Sequence, residues 1–228
     1  MNIREVFLEE RPASSHFNWV ISLLILMGAT SLGSTSELVV RDIDTRFELL
    51  PTSFSYAIKD TNGSRSGDDA FKKAYGLAIG CPYSFAGAGD THGFLAAGEL
   101  AVNQATYGSI GHLTSYGLRV EGGYGYALND DFMFSIMAIA GLGTATFDVT
   151  SNAEFNAFSA SGLTMTYGLM LGSGYAINDN VLISAKLGYL STSDKLSGGG
   201  VKIDLTNSGT FIAFGVSYRF SARPRPLE

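Results

Sequence analysis

Large apolar residues occupy every second position along much of the chain, most clearly in the last run, Thr210 to Phe220 (TFIAFGVSYRF). Ile212, Phe214, Val216, Tyr218 and Phe220 share one face, and Ala213, Gly215, Ser217 and Arg219 share the other. A period of two marks a β-strand with two unlike faces. Here the second face is small and polar, which suits a narrow wet interior and places the greasy face outside. The same alternation predicts eight strands: Leu49–Lys59, Ala74–Phe85, Gly93–Tyr107, Leu113–Leu128, Phe132–Phe147, Leu163–Ile177, Val181–Ser193 and Thr210–Phe220, the last with a possible start at Val201. Asn129-Asp130-Asp131 and Asn178-Asp179-Asn180 are tight turns of residues that tolerate left-handed backbone, and Gly87 to His92 is a third. The connections Asp60–Lys73, Gly108–His112, Thr150–Gly162 and Asp194–Gly209 are longer. A short repeat, Gly125-Tyr-Ala-Leu-Asn-Asp and Gly174-Tyr-Ala-Ile-Asn-Asp, marks two equivalent hairpin ends.

The charges sort with the small residues. With the apolar positions outward, Lys59, Glu99, Arg119, Glu121, Lys186 and Arg219 all fall on the inner face. A Lys or Arg facing lipid near mid-membrane costs ~2–4 kcal/mol, which accounts for the sorting. The pattern therefore specifies an all-β, eight-stranded antiparallel up-and-down transmembrane barrel, with both termini on the short-turn side. Eight strands leave just enough room for side chains. The inner charges are thus expected to form a paired polar core instead of lining a pore, and Arg119→Ala is expected to lower the unfolding midpoint in detergent without opening conductance. Phe85, Phe94, Tyr126, Phe132, Tyr175 and Phe220 lie by the short turns, and Tyr75, Tyr107, Tyr116, Tyr167 and Tyr189 nearer the long connections, as two interfacial belts would.

Composition agrees. Charged residues are 16% of the chain, glycines number 28 of 228, and aromatics reach 12%, against about 25% charged and roughly 7% Gly in an average soluble domain. A net charge of −6 without a basic stripe argues against nucleic acid. The single cysteine, Cys81, excludes an internal disulfide. No run of 18 apolar residues occurs, so any crossing must use strands. Near the start, Trp19 to Met27 (WVISLLILM) is apolar and small residues follow, which reads as a secretory signal cleaved between Ala29 and Ser36. The expected organisation is a signal peptide at 1–33, a periplasmic lead-in at 34–48, the barrel at 49–220 and a tail at 221–228 that is either natural or an expression remnant.

Chemistry-bearing motifs are sparse. His16, His92 and His112 are far apart and lack metal-ligand spacing, and no nucleotide-binding glycine motif is present. No cofactor, metal or catalytic residue is assigned. The last strand resembles the closing strand of outer-membrane barrels: the aromatic Phe220, the aromatic Tyr218, and the apolar Val216, Phe214 and Ile212 match at all five places. The region as a whole resembles the small eight-stranded outer-membrane barrels of the opacity-protein and OmpA/OmpX-like type. That resemblance implies an insertion signal at Ile212, Phe214, Val216, Tyr218 and Phe220, read by the barrel-insertion machinery. It implies contact with outer-membrane lipid, a monomer, and a non-catalytic structural or adhesive role. The loops at Thr61–Lys72, Ser151–Ser161 and Lys195–Ser208 would then meet a host or surface ligand. Two alternatives remain: a lipid-modifying enzyme using His112 with Ser109 or Ser115, and a soluble ligand-binding barrel, which would need the charged face outside.

Overall fold

The computed structural model describes residues 42–60, 63–84, 91–109, 111–150 and 157–220. The signal peptide, the tail, Phe85 and the tip of the 151–161 loop lie outside the described residues. Ten antiparallel strands and no helix occupy the rest: β1 (Asp42–Leu49), β2 (Ser53–Asp60), β3 (Gly63–Ala70), β4 (Lys73–Ser84), β5 (His92–Tyr107), β6 (Gly111–Ala127), β7 (Phe132–Val149), β8 (Phe158–Ala176), β9 (Val181–Gly198) and β10 (Val201–Arg219).

Eight of them close on themselves. The order β1-β4-β5-β6-β7-β8-β9-β10 is sealed by pairing of β1 with β10, from Asp42 opposite Arg219 to Leu49 opposite Ile212. The first barrel strand thus begins at Asp42, inside the segment expected as a lead-in, and not at Leu49. Its pattern hid it, because the inward Asp44, Arg46 and Glu48 outweigh the outward Thr45, Phe47 and Leu49. Pro51, which cannot donate to a ladder, interrupts the strand between β1 and β2. The chain then continues into the β2–β3 hairpin, which pairs with the start of β10 from Lys202 opposite Lys59 to Asn207 opposite Phe54.

Two other long connections are also strand. Gly63–Ala70 of the expected Thr61–Lys72 loop is β3, and the expected Lys195–Ser208 loop is the paired ends of β9 and β10, joined only by Gly199 and Gly200. Both glycines have positive φ, 57° and 79°, which a two-residue hairpin turn of the twist-compatible type requires. Alternation alone does not mark these segments as strands, because their apolar positions are few and their polar ones many. The short turns close differently from expectation: no described non-glycine residue has positive φ. Asn129 Oδ1 accepts hydrogen bonds from the amides of Asp131 and Phe132, and Asn178 Oδ1 from those of Asn180 and Val181, at 2.8–3.0 Å. The repeated Asn-Asp pair therefore builds the same side-chain-capped turn twice.

Facing changes along the wall. In the lower part Tyr116, Val120, Tyr124 and Tyr126 of β6 with Leu128 just after it, and alternate positions of β8 from Leu163 to Tyr175 with Ile177 just after it, are exposed outward. From Tyr116 to Leu128 this band is about 28 Å tall at ~3.3 Å per residue and ~45° tilt, matching a bilayer core. Above it the polarity inverts. Ser53, Ser55, Ala57 and Lys59 of β2, Lys202, Asp204 and Thr206 of β10, and Lys195 and Ser197 of β9 face outward, while Phe54, Ile203, Leu205 and Leu196 are buried inside. A strand standing in water must turn its greasy face inward, so the upper hairpins follow the soluble pattern and the lower barrel the membrane one.

Candidate functional site

The barrel interior holds the molecule's dense polar chemistry. Even-numbered residues of β1 point inward and carry Asp44, Arg46 and Glu48; β5 and β6 bring Glu99, Arg119 and Glu121; β9 brings Lys186. Arg46 is the hub, with 1% of its surface exposed. Its Nε donates to Glu48 Oε1 at 2.9 Å, and its Nη2 donates to Glu99 Oε2 at 2.7 Å and Glu121 Oε1 at 2.8 Å. Arg119 grips Glu48 with both terminal nitrogens at 2.8 Å and lies 3.4 Å from Glu99 Oε2. Lys186 Nζ donates to Glu121 Oε2 at 2.6 Å. Fork-on-carboxylate geometry gives these buried charges directional partners, which a buried ion needs to offset its lost hydration.

Glycines make the room. A Cβ at Gly141 would come 2.7 Å from Arg119 Cγ, and one at Gly80 would come 2.8 Å from Glu99 Cγ. The interior is also divided: the charges line β1, β5 and β6, while Met137, Ile139, Met170, Leu190 and Phe211 fill the side formed by β7 to β10. Above both lies an apolar cap of Phe54, Phe71, Leu113, Leu196, Ile203 and Leu205. Phe54 stacks on Phe71 at 4.3 Å between ring centroids and meets Tyr107 edge-on at 5.8 Å.

The structure brings Glu99, Arg119, Glu121 and Lys186 into one network. Arg219 also faces inward but sits apart at the lower rim, bonded to Asp42 at 3.0 and 3.2 Å. Lys59 does not belong to the interior. It is exposed on the outer face of β2, because that strand stands above the membrane and turns Phe54, Tyr56 and Ile58 inward instead. Tyr107, expected in the outer belt, also points inward, against Phe54. The residues missed are Asp44, Arg46 and Glu48, since the first strand was placed too late. The alternation Asp44-Thr45-Arg46-Phe47-Glu48-Leu49 carried the signal. Ile212, Phe214, Val216, Tyr218 and Phe220 are all exposed on the outward face of the last strand.

Tyr107 does one further job. β3 pairs only with β2, and no ladder joins it to β5. The Tyr107 hydroxyl crosses that gap and donates to Asp69 Oδ2 at 2.6 Å, while the Ala70 amide donates to Oδ1 at 2.8 Å. These two hydrogen bonds, the Tyr107 one foremost, hold the Asp69 carboxyl below its ordinary pKa.

His112 and Ser115 lie on opposite faces of β6: His112 is exposed outside, and Ser115 is buried, accepting from Asn103 Nδ2 at 3.3 Å. They do not form a pair. His92 Nδ1 lies 2.6 Å from the Tyr124 hydroxyl on the outer surface. Among the described residues no three His, Cys, Asp or Glu side chains gather into a metal-holding group.

An apolar exterior, a buried ionic interior and a closed ring of strands define a membrane-spanning β-barrel. The inward placement of its charges excludes a soluble ligand-binding barrel. The chain matches the model of the outer membrane protein beta-barrel domain over residues 74–223, and it belongs to that family. Its place is the outer membrane. Solved structures similar to it include Ail, the attachment invasion locus protein of Yersinia pestis, at 16% identity, with 80% of this chain and 100% of that chain covered and a TM-score of 0.41. The outer membrane protein OprG of Pseudomonas aeruginosa aligns at 18% identity over 80% of this chain and 97% of its own, with a TM-score of 0.47. The outer membrane protease OmpT of Escherichia coli aligns at 10% identity over 82% and 99%, with a TM-score of 0.45. At these identities and scores no function transfers. No curated protein matches the sequence.

Proposed function

We propose that the protein is a non-catalytic structural barrel of the outer membrane whose upper hairpins form a contact surface for a ligand on host cells or other surfaces. The observation that carries this reading is the filled interior. The Arg46–Arg119–Lys186 network occupies the barrel at mid-height and the Phe54–Phe71–Leu205 cap lies above it, which leaves little room for a solute path or a reaction cleft. The parts free to meet another molecule are the water-facing surfaces of β2–β3 and of the β9–β10 end. On this reading the barrel is a monomer, surrounded by outer-membrane lipid, and the insertion machinery reads its last strand.

The test compares cells producing the parent protein with cells producing a variant whose segment 57–66 is replaced by a two-residue turn. Outer-membrane levels are first matched by the heat-dependent mobility shift on electrophoresis. Adherence to epithelial monolayers should fall in the variant, and unchanged adherence would remove the contact-surface role. Steady channel currents in planar bilayers, from the parent or from Arg119→Ala, would contradict the filled interior.

A further inference from the structure

Between the ionic network and the apolar cap lies a cavity of about 40 Å³, lined on its polar side by Asn103, Ser115, Thr192, Asp194 and Asn207. By the usual measure of ~10–15 Å³ per water, it has room for about three waters, or for one cation with part of its hydration shell. Asp194 is 1% exposed, yet its Oδ1 makes no hydrogen bond with any described residue. Asn103 Oδ1 is equally without a donor. Thr164, opposite Asp194 in the β8–β9 register, is buried with its hydroxyl turned to the Asp194 carboxyl, and it lines a smaller neighbouring cavity that Asn103 and Ser115 also border. A buried carboxylate with no basic partner and an amide oxygen without a donor, on two residues that line one small space, call for a positive guest or for water.

Charge balance favours the cation. Among the described residues, the carboxylates of Asp44, Glu48, Glu99, Glu121 and Asp194 share the interior with three cations, Arg46, Arg119 and Lys186. Those three are engaged with the glutamates, and no described basic group lies within 4 Å of Asp194. The Asp42–Arg219 pair at the rim is neutral and leaves the excess of two negative charges unchanged. Every donor on offer is oxygen, one a carboxylate and the rest amide or hydroxyl, which is the chemistry of a hard cation and not of zinc or copper.

We infer that the cavity beneath the apolar cap is a binding site for one small hard cation, sodium or calcium, held by Asp194 and Asn103 with Thr164 beside them. The apolar cap lies above the ion, and the charge that holds it is the Asp194 carboxylate, since the Arg46–Glu network below is neutral in itself.

The test is equilibrium dialysis of the refolded barrel in neutral detergent against labelled calcium or labelled sodium, over a choline chloride background. It is paired with heat-modifiability midpoints across the same titrations. One of the two ions should bind saturably at one per barrel and raise the midpoint with concentration. Asp194→Asn should remove at least tenfold of that affinity and flatten the dependence. Thr164→Val, which keeps shape and charge, should weaken binding severalfold, and it provides a second reading should Asp194→Asn fail to fold. Neither ion binding to the parent, or the same affinity retained in either folded variant, would overturn the inference. A midpoint that follows pH alone and neither ion would mean that a proton, not a metal ion, balances Asp194, which also overturns it.

Discussion

Arg46→Met tests the interior most directly. Methionine keeps much of the apolar stem and removes the guanidinium that joins three carboxylates. The remaining partners are unequal. Glu48 keeps its two 2.8 Å bonds from Arg119, and Glu121 keeps Lys186 at 2.6 Å. Glu99 keeps only Arg119 at 3.4 Å and becomes the poorly paired buried charge. Removing one partner from a buried ion pair costs about 3–5 kcal/mol, a change of roughly two to four decades in the folding equilibrium. The second variant removes the stranded charge: Arg46→Met with Glu99→Gln should recover about 2 kcal/mol of that loss, since a neutral amide needs no counter-ion. Unfolding by urea in detergent should be followed by circular dichroism and by the unboiled gel mobility, because the only tryptophan, Trp19, precedes the barrel and its fluorescence cannot report on it. A single variant within about 1 kcal/mol of the parent, or a double variant no more stable than the single, would refute the claim that pairing at Glu99 sets the cost.

Three further outcomes follow from the same geometry. Phe54→Ala empties a buried site stacked on Phe71 and should cost the cap about 3–5 kcal/mol; limited proteolysis should then cut within 53–70 while the membrane band keeps its heat-dependent mobility. Tyr107→Phe removes the bond that lowers Asp69, so the Asp69 midpoint, read by NMR, should rise toward the ordinary carboxylate value; because a lowered folded-state pKa adds stability only above it, the β3 tether in the parent should persist at neutral pH and loosen as pH falls through that depressed midpoint. Replacing both Tyr218 and Phe220 with Ala touches only outward, lipid-facing rings, so the outer-membrane yield should fall severalfold while refolding of the purified chain into detergent changes little. Equal yields would show that the last strand is not read as a signal.

Alternation alone determined the class of this protein. Period-two apolar residues from Ala74 onward, with Arg119, Glu121 and Lys186 on the small-residue face, allow one solution in lipid, where every backbone group must pair within the protein and every charge must turn inward. The pattern is a local property of each strand, so it survives in the sequence. What tertiary structure decided is where the membrane ends and which strand closes the ring. Phe54, Tyr56 and Ile58 read as lipid-facing from the sequence, yet they face inward, because the choice between outside and inside depends on whether lipid or water surrounds that height of the wall. β1 shows the same limit: Asp44, Arg46 and Glu48 alternate with Thr45, Phe47 and Leu49, yet they look like a solvated face until Glu99, Arg119 and Glu121, 50 to 80 residues away, converge on them across the barrel. A charge's partners are set by ring closure, and ring closure is a non-local event that no stretch of this chain encodes by itself.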